Sequence, residues 1–234
     1  MPADLVLMYH SVEPYTADPY QVTVRPERFE RQLHWLRRRG LRGVSMRELL
    51  RADDRAGLVG LTFDDGYRDF VTHVMPVLAR YGWSATVFVV AGALGGTNDW
   101  DRPGPDKPLM TADEVRTAAA AGIEIGSHSL HHRRLTGVED GALDAEVRRS
   151  RAILCELTGQ DVDGFCYPYG DVAAREADAV RAAGYGYGCA VRRSVPDGRY
   201  EPDGRYAIAR TFVGDRDSAP RLYAKWIRHR VVSR

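Results

Sequence analysis

Two short motifs hold most of the groups capable of chemistry in this 234-residue chain. The first is Thr62-Phe63-Asp64-Asp65-Gly66, a pair of adjacent carboxylates at the end of an apolar run. Asp-Gly is a common turn dipeptide, so a plain turn is one reading. Two carboxylates side by side repel, however, and a bound cation lets both stay ionised. The second motif is His128-Ser129-Leu130-His131-His132. Residues four apart share one side of a helical turn, so His128 and His132 can present their imidazoles to one metal. His131 lies roughly 100° from His132 on such a turn and is not expected to be a ligand. Alone, the segment also reads as a surface histidine cluster. Together the two motifs supply two imidazoles and a carboxylate, leaving room for water. That is the composition of a catalytic rather than a structural zinc site. A third segment, Cys166-Tyr167-Pro168-Tyr169-Gly170, is a proline turn whose backbone amides can face an oxyanion.

These residues need elements to bring them together. Short apolar runs at 5–9, 59–63, 85–90, 123–127, 163–167, 187–191 and 206–213 read as strands. Helical stretches alternate with them. Residues 26–39 place Phe29, Leu33 and Leu36 on one face and stop at Gly40. Thr111 and Glu114 form a capping box that opens a helix closed by Gly122. Further helices are expected at about 139–158, 173–183 and 218–232, the last of them basic. Seven strands with intervening helices suggest an α/β barrel. His10, the Asp64-Asp65 pair, His128 and the Pro168 turn each follow the C-terminal end of a strand. In parallel barrels those ends share one rim, where such enzymes place their chemistry. The stretch 91–109 has no periodicity, and a loop of that length in a compact domain is often functional.

Bulk properties narrow the function. The chain is 44% hydrophobic and 28% charged with a formal net charge of +1, which is ordinary for a soluble domain and gives no electrostatic case for nucleic acid. Cys155, Cys166 and Cys189 are too few and too scattered for a disulfide framework or a thiolate zinc site. The start shows neither a signal peptide nor a membrane anchor, and no apolar stretch approaches a bilayer span, so the expected compartment is the cytoplasm. No repeat or linker divides the chain, which reads as one catalytic domain over residues 1–234.

TFDDG, HSLHH and FCYPYG, in this order and separation, resemble the polysaccharide deacetylase family, also called the NodB-homology or carbohydrate esterase 4 family. The N-terminal LVLMYHSV resembles its circularly permuted branch, which includes poly-N-acetylglucosamine deacetylases. The resemblance runs from Leu5 to about Val213 and implies a distorted (β/α)7 barrel. It implies that Asp65, His128 and His132 bind one divalent metal, with Zn2+ first and Co2+, Ni2+ or Mn2+ as alternatives. It further implies Asp64 as general base, the Tyr169 amide as an oxyanion donor and His10 as general acid. Two departures stand out. The third motif often carries an arginine that orients the base, and here that position is Cys166. The late Leu-x-His motif of the unpermuted branch is missing, and His229 has the wrong neighbours to replace it. His10 repairs the second loss. For the first, Arg210 is expected to reach Asp64 from a neighbouring strand, the alternative being a peripheral ion pair.

The implied activity is hydrolysis of the N-acetyl group of an amino sugar or N-acetylglucosamine-containing glycan, releasing acetate. Tyr9, Trp100, Tyr167 and Tyr187 are candidates to stack on a sugar face, Trp100 first because its loop has no other evident purpose. An alternative keeps the metal chemistry but takes a small N-acyl metabolite or another non-peptide C–N bond. A non-catalytic carbohydrate-binding protein is a third reading, and retention of His10, Asp64, Asp65, His128 and His132 argues against it.

Overall fold

A computed structural model describes residues 5–191 and 204–232, with the side chains of residues 229–232, His229 among them, outside that description. The strands, in chain order, are β1 (Val6–Tyr9), β2 (Ser11–Val12), β3 (Thr23–Val24), β4 (Arg42–Val44), β5 (Leu58–Phe63), β6 (Thr86–Val89), β7 (Glu124–Ser127), β8 (Gly164–Cys166), β9 (Tyr187–Val191) and β10 (Ile208–Phe212). All pairings between them are parallel. β1, β10, β9, β8, β7, β6 and β5 form a ring that closes where β1 pairs with β5, from Val6↔Gly60 to Tyr9↔Phe63. The barrel expected from the sequence is therefore present, with seven strands in the ring. β4 is an eighth strand outside it. It pairs with the first half of β5, on the edge that β6 uses in the second half, which distorts the ring.

Period-2 alternation decides what each strand offers the interior. Val6, Phe88, Cys166, Tyr187 and Cys189 pack inside the barrel, together with Met46 and Leu49 of α2 (Met46–Arg51), which plugs its lower end. Glycines make room for these large groups. A Cβ on Gly164 would stand 2.2 Å from Tyr187 Oη, and one on Gly126 would stand 2.4 Å from the Phe88 ring. The outward residues pack against the helices, as Tyr9 and Phe63 do against Phe29 of α1 (Pro26–Arg37).

The remaining helices are α3 (Met75–Tyr81), α4 (Ala112–Ala120), α5 (Asp140–Thr158), α6 (Ala174–Ala182) and α7 (Ala219–Val232). α4 opens with the expected Thr111–Glu114 capping box. Two helices were not legible. α2 has only six residues, and α3 follows a π turn over Phe70–Val74 with Pro76 near its start, so neither shows a clean 3.6-residue pattern. The 91–109 loop is tied down by isolated bridges Tyr67↔Leu109 and Thr97↔Pro108 and by a short turn at Asp99–Asp101. Its Lys107 is 6% exposed and donates to Ser11 Oγ and Thr23 Oγ1, at 2.7 and 2.8 Å. No helix among the described residues is long and apolar enough to cross a membrane.

Candidate active site

At the C-terminal rim of the barrel, the same alternation that fills the interior delivers polar groups one step higher. Asp64 follows Thr62 on β5, His128 follows Gly126 on β7, and Arg210 sits between Ile208 and Phe212 on β10. Asp65 has φ +71° and Gly66 φ +72°. Asp tolerates the left-handed region better than most residues. That turn lets neighbouring carboxylates take different partners.

Asp65 Oδ1 stands 3.3 Å from His128 Nε2 and 3.3 Å from His132 Nε2. All three residues are buried and their ligand atoms lie within 4.8 Å of one another. Ligand atoms bonded at about 2.1 Å to a tetrahedral ion stand about 3.4 Å apart, so the spacing fits a metal. The tautomer fits as well. His128 Nδ1 lies 2.8 Å from the Cys166 carbonyl oxygen, an acceptor only. Nδ1–H therefore donates there, and in the neutral ring the Nε2 lone pair faces the Asp65 carboxylate. A proton on Nε2 satisfies both groups, and a metal ion bound there takes the place of that proton. Burial pushes the His128 imidazole down, but the negative potential of Cys166, Asp65 and Asp64 overrides it and raises its pKa well above the usual value. Burial also pushes the Asp65 carboxyl up, and the two imidazoles hold it well below the carboxylate range.

The helical turn expected over 128–132 does not form. Ser129 and His132 take φ +66° and +55°, and the segment is a loop. His132 comes back beside His128, its ring centroid 4.8 Å away, because the chain bends through two left-handed residues. Ser129 Oγ accepts the His132 N–H at 3.0 Å. Trp100 stacks on the His132 ring at 4.4 Å, and Tyr169 meets it edge-on at 4.8 Å. His131 points away and bonds Glu146.

Asp64 takes the other direction. Arg210 Nη1 and Nη2 donate to its Oδ1 and Oδ2 at 2.6 and 2.7 Å, a bidentate pair in which Arg210 is 3% and Asp64 3% exposed. Arg210 also donates to Thr62 Oγ1 at 3.0 Å and touches Cys166 Sγ at 3.0 Å. The expected contact is present, and the peripheral ion pair is excluded by burial. Burial raises the Asp64 carboxyl, but the Arg210 charge and its hydrogen bonds outweigh that and lower it. His10 Nε2 lies 4.0 Å from Asp64 Oδ2, with its ring packed near Phe212.

A cavity of about 310 Å³ opens over these groups, lined by His10, Asp64, Asp65, His128, His132 and Arg210. Trp100, Tyr167 and Tyr169 also line it, as do Met8, Tyr20, Val22, Asp101 and Val191, which the sequence reading did not single out. Tyr20 and Asp101 sit in irregular segments, where no periodicity says which way a side chain faces. Three of the four sugar-stacking candidates do not present a face to the cavity. Tyr9 is 0% exposed and stacks on Phe63 at 5.2 Å outside the ring, because alternation places it opposite Met8 and His10. Tyr187 fills the barrel interior and donates to Glu124 Oε1 at 3.0 Å, below the cavity. Tyr167 borders the cavity but is 0% exposed, its Oη donating to the Tyr206 carbonyl, so it offers no free face. A larger hollow of about 590 Å³, beside α7 and lined by Asp215, Arg216 and Asp217, contains none of the groups around Asp65.

Residues 51–188 match the family model for polysaccharide deacetylase. The chain belongs to the polysaccharide deacetylase family. As a member it is a hydrolase of N-acetyl amide bonds, in a family whose chemistry depends on a metal. It is 28% identical over 218 residues to the protein YxkH of Bacillus subtilis (strain 168), covering 91% of this chain and 72% of that one. It is 23% identical over 216 residues to the poly-beta-1,6-N-acetyl-D-glucosamine N-deacetylase of Staphylococcus epidermidis (strain RP62A), covering 87% and 72%. Among solved structures, IcaB from Ammonifex degensii superposes with a TM-score of 0.78 at 24% identity, covering 96% of this chain and 97% of that one, a likeness of fold.

Proposed function

We propose that this deacetylase removes the N-acetyl group from N-acetylglucosamine units of a glycan, releasing acetate, with one divalent ion held by Asp65, His128 and His132. The convergence of those three ligand atoms beside a separate Asp64–Arg210 pair carries the reading. The ion, with Zn2+ as first choice, supplies a Lewis acid for the acetyl carbonyl and for the attacking water. Asp64, kept ionised by Arg210, takes the proton of that water. Arg210 occupies both carboxylate oxygens along one edge, and each oxygen keeps a second lone pair for the water. The Tyr169 amide, in a turn with φ +61°, steadies the negative oxygen that develops on the acetyl carbon, a contribution typically worth about 3 kcal/mol. His10, beside Asp64 and lining the cavity, delivers a proton to the departing amine, which cannot leave as an anion.

The cavity and the relatives together support this substrate class. A volume of about 310 Å³ suits one pyranose ring with its acetamido group. Trp100, Tyr169 and Tyr20 supply aromatic faces, and the Staphylococcus epidermidis relative is named for poly-beta-1,6-N-acetyl-D-glucosamine. Tyr20 Oη donates to the Arg102 carbonyl at 3.1 Å, joining two segments at the cavity mouth. We further read the chain order as circularly permuted, with the strand that leads into His10 coming first and closing the ring between β5 and β10.

The test is acetate release by the zinc- or cobalt-loaded protein from β-1,6- and β-1,4-linked N-acetylglucosamine oligomers and from small N-acyl metabolites. Release from the oligomers, abolished in Asp64→Asn, is the expected result. Release from the small N-acyl compounds alone would move the substrate assignment. No release from either class would end the hydrolytic reading.

A further inference from the structure

The loop between the two candidate metal-binding histidines has almost no regular structure, yet it brings both Nε2 atoms to 3.3 Å from Asp65 Oδ1. Something outside the loop must fix it. Glu146, from the second turn of α5, is 3% exposed and points into it. Its Oε2 accepts the backbone N–H of Leu130 at 3.0 Å and of His131 at 2.8 Å. Its Oε1 takes the third bond, from His131 Nδ1 at 2.7 Å. A carboxylate buried between Leu143 and Val147 is costly without partners, and three donors from one short loop provide them.

The opposite side of the loop is held by backbone. Ala91 N–H donates to the Ser129 carbonyl at 3.1 Å and Gly92 N–H to the Leu130 carbonyl at 2.8 Å. A Cβ on Gly92 would lie 2.4 Å from that oxygen, so the approach requires glycine. Leu130 is thus gripped at its carbonyl by the strand-end at 91–92 and at its amide by Glu146.

We infer that Glu146 is the positioning residue that sets the spacing of the His128 and His132 imidazoles and therefore the metal affinity, with His131 as its anchor rather than a ligand. This explains why the motif carries a third histidine that faces away from the site. The inference rests on the metal-centre reading given above, and the two can fail separately.

The experiment measures the zinc dissociation constant of the metal-stripped full chain, by competition with a chelator of known affinity, for wild type and four variants. Glu146→Ala and Glu146→Asp, which remove or withdraw the acceptor, are expected to weaken zinc binding by about 10–100-fold. Glu146→Gln keeps an oxygen for the two amides and is expected to stay close to wild type. Ser150→Ala removes the bond of α5 to Ser127 and controls for general loosening of the helix. It is expected to lower the thermal midpoint and leave zinc affinity unchanged. Where Glu146→Ala does not fold, Glu146→Asp carries the comparison. Unchanged affinity in both acceptor variants would overturn the inference, as would equal losses in Glu146→Gln or in Ser150→Ala. A wild type that binds no zinc would overturn the metal centre itself, and this inference with it.

Discussion

Arg210 and Asp64 are a charged pair buried at the floor of the cavity, and such a pair is retained for what it does to its members more than for stability. Here the guanidinium keeps a buried carboxylate ionised and oriented. Cys166, at the position where the family pattern often carries arginine, leaves that task to a residue arriving from β10, and its small side chain gives the guanidinium room. In Arg210→Met, the largest influence opposing burial at Asp64 is gone, only His128 and His10 remain to oppose it, and its pKa rises. A base works only when ionised, so the acid limb of kcat/KM moves to higher pH and turnover at neutral pH falls by about 100-fold. A pH–rate profile checks the direction. Asp64→Asn is expected to lose at least about 100-fold in turnover while still binding zinc, whereas Asp65→Asn and His132→Ala lose the zinc itself. Paired assays of zinc content and acetate release separate the two classes.

At the scale of elements, the segment after β1 and the 91–109 loop are fastened through one buried polar cluster. Asp69 accepts from Ser11 Oγ at 2.6 Å and from Val12 N–H at 2.9 Å, while Lys107 donates to Ser11, to Thr23 and to Glu13. Burial dominates Asp69 and raises its pKa from 3.8 to about 6, despite the hydrogen bonds and Lys107. The folded state therefore holds a proton that the unfolded chain has released. The stability this contributes is full below about pH 4 and lost as pH rises to about 6, a change of roughly 3 kcal/mol. Asp69→Asn removes that slope. The difference between wild-type and variant unfolding free energies, from denaturant titrations across pH 4 to 7, is the measurement. Lys107→Met frees the loop that carries Trp100. Its expected signature is a raised KM for acetylated oligosaccharide with kcat little changed, read from Michaelis kinetics.

For the whole molecule, the interior of the barrel is a volume problem solved by alternating large and small residues. Gly164 lies against Tyr187, and an added methyl would meet both its Oη and its ring. Gly164→Ala is expected to cost about 1–3 kcal/mol, measured by chemical denaturation, because the ring of strands cannot widen locally without breaking pairings. All seven ring strands were legible as apolar runs bounded by turns, and the Thr111 cap and the Gly122 stop of α4 were legible from local chemistry. β4 and α2 were not, since three and six residues carry too little periodicity, and their place is decided by the edge that β5 leaves free.

The sequence by itself determined which groups are candidates for the chemistry, because carboxylates, imidazoles and an arginine at strand ends are recognisable by type and by the motifs that carry them. It also determined the barrel, because strand and helix periods are local properties. Which aromatic faces the cavity was decided only in three dimensions. Tyr9 and Tyr187 look like Trp100 in composition, but one packs under a helix and the other inside the barrel. The bend of the 128–132 loop was likewise invisible along the chain. Its left-handed residues are strained on their own and persist because Glu146 and the backbone at 91–92 hold them from opposite sides. Contacts between residues far apart in sequence carry no local signature, so only the folded molecule could supply them.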